Sequence, residues 1–166
     1  MDRMAELKAT VQGVLMENEP MSKHTSYGIG GPAWAYITPK DSVDLGNILH
    51  FATAADIQVH FVGSGSNLLV ADEGIDGIVL TLGKSFTQLE IQGNHVYAET
   101  GVMLGRMVKE CVKRNLSGLE SMIGVPGTVG GALIMNAGAF GGEISNCLQK
   151  VDVMTLSGEL KEYTRR

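Results

Sequence analysis

The chain has 166 residues, enough for one ordinary domain or two small intimate ones. With 44% apolar and 19% charged residues it has a globular composition, not a disordered one. The net charge of −5 excludes a basic footprint for nucleic acid, and an anionic ligand would need local donors because the long-range field does not attract it.

Residues 3–16 read as an amphipathic helix, since Met4, Leu7, Val11, Val14 and Leu15 recur at helical spacing, and Asn18 to Pro20 breaks it. The charges at Asp2, Arg3, Glu6 and Lys8 leave no apolar leader, and no run approaches a membrane span, so a cytoplasmic protein with no membrane partner is expected. An irregular, glycine-rich stretch follows from Ser22 to Pro32, then a short strand over Ala33 to Thr38. Asp41 can cap a helix with Asp44 in its first turn and an apolar stripe of Leu45, Ile48, Leu49 and Ala52. Ile57 to Val62 reads as a buried strand that runs into Gly63-Ser64-Gly65-Ser66-Asn67. Leu68-Leu69-Val70 reads as a further strand, then a turn over Asp72 to Gly77 and a strand over Gly77 to Leu82.

The second half opens with a hairpin, Phe86 to Gln92 and His95 to Thr100, around Gly93-Asn94. Met103 to Asn115 is a helix with Leu104, Met107, Val108, Cys111 and Val112 on one face. A long glycine-rich segment, Gly118 to Gly142, precedes a second hairpin, Lys150 to Leu156 and Glu159 to Tyr163, around Ser157-Gly158. The pattern is α+β, with lobes expected at 1–78 and 79–166. Cys111 and Cys147 read as buried small apolar residues of a reducing compartment. Together with the dispersed His24, His50, His60 and His95 they form no metal-ligand spacing, so no metal is expected.

Two bends are candidates for chemistry. The first is Gly63-Ser64-Gly65-Ser66-Asn67 with Leu68, directly after a strand. Successive amides there can converge on anionic oxygens, with Ser66 and Asn67 adding donors; the same composition also suits a tight surface turn. A dinucleotide fingerprint fails because Leu68 replaces the third glycine and no helix follows. A P-loop fails because no Gly-Lys-Ser/Thr closes the bend.

The second bend is Gly124-Val125-Pro126-Gly127-Thr128-Val129-Gly130-Gly131, continuing to Asn136-Ala137-Gly138-Ala139-Phe140. Pro126 fixes the entry to a turn, and Gly127-Thr128 reads as the start of a short helix whose first amides are open. Its glycine density costs roughly 1 kcal/mol per residue relative to Ala, which argues for close approach of something. That something is either a flat ligand or a neighbouring strand.

With both bends in view, the chain resembles the UDP-N-acetylenolpyruvoylglucosamine reductase family of flavoproteins, which act in peptidoglycan synthesis. Three blocks carry the resemblance: His24 through Ala33, Gly63 through Val70, and Gly118 through Ile144. The resemblance implies a two-lobed FAD-binding fold of the vanillyl-alcohol-oxidase type. It implies that Gly63 to Leu68 cradles the FAD diphosphate, and that Ile123 to Gly131 packs along the flavin. Asn136, Ala137 and Phe140 would lie near the flavin and substrate side, with Phe140 where the family often has Tyr. It also implies NADPH as hydride donor and an enolpyruvyl UDP-sugar as substrate. The family's catalytic Arg, Ser and Glu are expected beyond Arg166, so no catalytic residue is expected in this chain and residues 1–166 alone are expected to be inactive. Arg165 and Arg166 precede the family's arginine in register. Self-association through apolar surface left by the absent portion is a further expectation. Two alternatives stand beside this reading: an FAD-dependent oxidoreductase of the same fold acting on an alcohol or hydroxy acid, and a non-catalytic nucleotide-binding fragment.

Overall fold

The structure, a computed structural model, describes residues 2–165. The first helix, α1 (Arg3–Thr10), starts where the Asp2 side chain accepts from the Met4 amide at 3.1 Å. It is shorter than its apolar spacing suggests. Val14, Leu15 and Met16 belong instead to a strand, β1 (Val14–Pro20), and lie opposite Thr38, Ile37 and Tyr36 of β2 (Pro32–Thr38) in an antiparallel pair. Apolar residues at 11, 14 and 15 fit either period, and the distant partner strand decides between them.

Asp41 caps α2 (Ser42–Ala54) as expected, accepting from the Val43 and Asp44 amides. Asp44 does more than complement the helix dipole. It is fully buried, and its carboxylate accepts from Gln12, Gly13 and Lys40 amides at 2.9, 2.8 and 2.8 Å. One carboxylate thus ties the α1–β1 turn to the start of α2. Bonds of this kind are worth about 1.5–3 kcal/mol each.

Four strands form the main sheet in the order β1-β2-β4-β3, with β3 (Val59–Val62) and β4 (Ile75–Thr81) parallel to each other and β2 parallel to β4. Side chains alternate across it. Ala35, Ile37, Ile78 and Leu80 face α1 and α2, burying Leu7, Leu45, Ile48 and Leu49. Tyr36 and Val79 face the other way, onto Met21, Val62 and Val70.

Two segments differ from the strands their sequence pattern predicts. The strand expected to be buried, β3, is the sheet's edge, with His60 and Phe61 exposed, because no strand among the described residues pairs beyond it. Leu68 to Val70 is not a strand. It has no partner, and only Val70 is buried while Leu69 is exposed.

The second half carries the β5 (Leu89–Gln92) and β6 (His95–Ala98) hairpin, closed at Gly93 with φ +60°. Next comes α3 (Leu104–Lys113), which buries Leu104, Met107, Val108 and Cys111; Val112, expected on the same face, is half exposed. These residues form a second core with Val102, Met122, Val129, Ala132 and Ile144. Within the glycine-rich segment lie a short helix, α4 (Val129–Ile134), and a small hairpin of β7 (Gly138–Ala139) and β8 (Gly142–Glu143). Phe140 and Gly141 turn that hairpin with φ of +51° and +81°. The last hairpin, β9 (Lys150–Met154) with β10 (Leu160–Thr164), forms as expected. Its Met154 packs on the first core, and Thr53 Oγ1 donates to Leu156 O at 3.3 Å.

Cys111 is buried, and burial pushes its thiol pKa up, whereas Cys147 is exposed, contrary to expectation, with Sγ donating to Gly118 O at 3.2 Å. Among the described residues no helix is long and apolar enough to cross a membrane, and no cluster of His, Cys, Asp and Glu has metal-site geometry.

Candidate functional site

One cleft of about 600 Å³ has both glycine bends in its walls. That volume is within the range of pockets that hold cofactors. The first bend contributes Gly63 to Leu68 and the second Val125 to Thr128, Gly130 and Gly131, with Ala137 further on. The bends are in direct contact. Ser64 Oγ donates to Ser66 Oγ at 3.2 Å, and Ser66 Oγ donates to Pro126 O at 3.2 Å. Gly63 lies against Thr128, where an added Cβ would stand 2.6 Å from Oγ1.

The remaining named positions lie outside the cleft walls. Ile123 and Gly124 come before the turn at Pro126, with Ile123 half exposed. Asn136 Oδ1 accepts from the Ser145 amide at 3.3 Å, and Phe140 stands at the hairpin tip, 90% exposed. Near that hairpin the Ser145 hydroxyl, with help from Asn136, holds the Glu143 carboxyl below its usual range. Arg165 is elsewhere, with Nη1 donating to Asn146 O at 2.9 Å; Arg166 lies outside the described residues.

Several wall residues were not singled out from the sequence. Phe61 and Leu82 give apolar surface, Ile134 and Met135 project from the end of α4, and Thr100 and Gly101 close one side. Exposed Phe61 on an edge strand, exposed Ile134, at 86%, and exposed Met135 at the end of α4 are signals of this role, and all depend on knowing the fold.

Donors differ between the bends. Among the described residues, the amides of Ser64, Gly65, Ser66 and Asn67 make no internal hydrogen bond. Gly65 sits at φ +71°, the left-handed conformation that lets consecutive amides converge. The second bend meets the expectation of open amides only in part: among the described residues Gly127 N and Thr128 N make no internal hydrogen bond, whereas the amides of the first helical residues are taken. Val129 N donates to Val102 O at 2.7 Å, Gly130 N to Thr100 O at 2.8 Å, and Gly131 N to Thr128 Oγ1 at 3.3 Å. Gly130 is glycine because it packs on Thr100, where a Cβ would stand 1.7 Å from Oγ1. Gly127 is different, with φ +136° and only the far Ser66 and Ser64 hydroxyls at 3.5 and 3.9 Å from a Cβ.

Among the described residues no Asp, Glu, Lys, Arg or His lines the cleft. Its walls offer apolar surface, hydroxyls and backbone amides. Such a set suits a flat aromatic group joined to a diphosphate, with the negative charge met by neutral donors.

Residues 33–164 match the family described as FAD binding domain. The chain belongs to that family. Its cofactor is FAD, and the unpaired amides, the open cradle at Gly127 and the uncharged walls fit that cofactor.

The FAD-binding domain is similar to UDP-N-acetylenolpyruvoylglucosamine reductase of Agathobacter rectalis, 43% identical over 163 residues, covering 91% of this chain and 52% of the relative. It is likewise similar to the reductase of that name from Heliobacterium modesticaldum, 39% identical, covering 96% of this chain and 51% of the relative. The crystal structure of the Thermus caldophilus reductase superposes with a TM-score of 0.77 at 33% identity, over 91% of this chain and 53% of that one. The 6-hydroxy-D-nicotine oxidase of Arthrobacter nicotinovorans superposes with a TM-score of 0.72 at 20% identity, over 93% of this chain and 36% of that one, which shows the fold alone. The FAD-binding domain therefore has the fold of the vanillyl-alcohol-oxidase type. The chain spans about half the length of the curated relatives it matches.

Proposed function

We propose that this chain is the flavin-holding part of an NADPH-dependent reductase that converts an enolpyruvyl UDP-N-acetylglucosamine to UDP-N-acetylmuramate, in the cytoplasm. The observation that supports it most is the uncharged cleft between two glycine bends in a chain 35–43% identical to reductases of that name. FAD, when bound, supplies the hydride chemistry, and the chain supplies binding and orientation.

Each wall has a proposed task. The Ser64 to Asn67 amides hold the diphosphate, where each charge-assisted bond is worth about 1.5–3 kcal/mol. The turn at Val125 to Thr128 gives the ligand a flat backbone surface, since Gly127 has no neighbour close enough to fill the space of a side chain. Phe61, Leu82, Ile134 and Met135 exclude water from the apolar part. The Ser66–Pro126 hydrogen bond fixes the distance between the two bends. Two lobes share the task in this proposal, the chain passing from one to the other after β4, whose residues run from Ile75 to Thr81 and so across position 78.

The oxidases that share the fold do so at 13–20% identity, which carries no substrate over to this chain. Two experiments test the proposal. Titration of the chain with FAD should give a saturable yellow complex with quenched flavin fluorescence. A protein extended to the full length of its relatives should oxidise NADPH only when the enolpyruvyl UDP-sugar is present as hydride acceptor; bleaching of the bound flavin by a simple alcohol or hydroxy acid as hydride donor, with no turnover of the UDP-sugar, would overturn the substrate assignment.

A further inference from the structure

The block from His24 to Pro32 carries much of the family likeness, yet none of its side chains lines the cleft. What it touches is the first glycine bend. The His24 carbonyl oxygen lies against the Gly65 α-carbon, so that a Cβ built there would stand 1.8 Å from it. Ser26 N donates to Gly65 O at 3.0 Å, and Gly31 N donates to Ala71 O at 2.9 Å. The block is therefore fastened both at the bend and just after it. Thr25 Oγ1 donates to Ile29 O at 2.8 Å and closes the block on itself.

The His24 ring is held on two sides. It stacks on Tyr36, with ring centroids 3.9 Å apart and planes at 20°. Its Nε2 lies 3.1 Å from Glu19 Oε1. Tyr36 is buried in β2 and Glu19 lies on β1, so both anchors belong to the main sheet. Glu19 also pairs with Lys23 at 3.3 Å and keeps that partner if the imidazole is lost.

From this geometry we infer that His24 is a positioning residue for the diphosphate amides: its ring, clamped between Tyr36 and Glu19, sets its own carbonyl against Gly65 and so fixes the shape of the Ser64 to Asn67 bend. The chain of contact is short: main sheet to imidazole, imidazole to its own backbone, backbone to Gly65. A bend held at positive φ by outside contact does not need its own amides for internal bonds, which leaves them available. The inference rests on the proposed placement of the FAD diphosphate at this bend.

The test uses the whole chain with His24→Ala, His24→Phe and Glu19→Gln. FAD affinity is read by flavin fluorescence, and the bound diphosphate by 31P NMR at saturating FAD. His24→Ala should raise the FAD Kd about tenfold, the equivalent of one hydrogen bond to a charged group. Its bound phosphorus resonances should move toward those of free FAD. His24→Phe keeps the stack on Tyr36 and should recover part of both effects. Should His24→Ala fail to fold, Glu19→Gln carries the test, with a Kd raised about threefold and the same direction of 31P shift. Unchanged affinity in the variants, or weaker affinity with unmoved 31P resonances at saturation, overturns the inference while leaving the cofactor site in place. A wild-type chain that binds no FAD removes the proposed site and this inference with it.

Discussion

In the bend at Gly63 to Asn67 the amides of four successive residues, Ser64 to Asn67, have no internal acceptor among the described residues. In the bend that leads into α4 the amides of Gly127 and Thr128 also lack one, but those of Val129, Gly130 and Gly131 are taken by Val102, Thr100 and Thr128. Both bends are rich in glycine and both face one cleft. The glycines serve opposite ends. Gly65 sets a left-handed turn under the His24 carbonyl, and Gly130 lets α4 close onto Thr100. Glycine density alone therefore does not mark where a ligand touches the backbone. The bookkeeping of amide partners does.

The largest expected effect separates the two bends by stability. Gly65→Ala meets a backbone oxygen that cannot swing away and also forces a left-handed alanine, which together should cost about 3 kcal/mol in chemical denaturation and weaken FAD binding. Gly130→Ala meets Thr100, whose hydroxyl can rotate but whose Cβ and carbonyl stay near 3 Å from the new Cβ. It should cost about 2 kcal/mol, and adding Thr100→Ala should return part of that. If Gly130→Ala is neutral for stability and harmful only to FAD affinity, the contrast drawn between the bends is broken.

Smaller effects sharpen it. Gly127→Ala has room but needs φ +136°, so a cost of about 1 kcal/mol is expected, while Gly124→Ala, with open space and an ordinary φ, should stay within about 0.5 kcal/mol. Denaturation curves of the pair distinguish strain from crowding. The smallest effect concerns salt. Among the described residues no charged side chain lines the cleft, and the chain carries −5, so screening relieves repulsion of the diphosphate. FAD affinity should rise slightly, by less than about twofold, between low and moderate salt. A steep loss with salt would point to Lys or Arg contacts that the described residues do not supply.

Much of this was legible in the sequence. The Asp41 cap, the apolar stripe of α2, the helix α3 and the hairpin around Ser157-Gly158 follow from local chemistry and spacing. What was not legible depends on distant partners. Val14 and Leu15 fit a helix until β2 arrives to pair with them, and Leu68 to Val70 look like a strand until no partner arrives. In the site, Gly63 to Asn67 could be found as a bend with converging amides, because glycine and serine in that order leave little else. The role of Gly130 was hidden, since it depends on Thr100, thirty positions away. Phe61, Ile134 and Met135 were hidden for the same reason.

Amide hydrogen exchange with and without FAD tests the central claim most directly. Val129 to Ala132 should be protected before any ligand is added, and Ser64 to Asn67 should exchange fast until FAD is bound, then become protected. Fast exchange at Ser64 to Asn67 that FAD leaves unchanged, with new protection confined to the start of α4, would contradict the account.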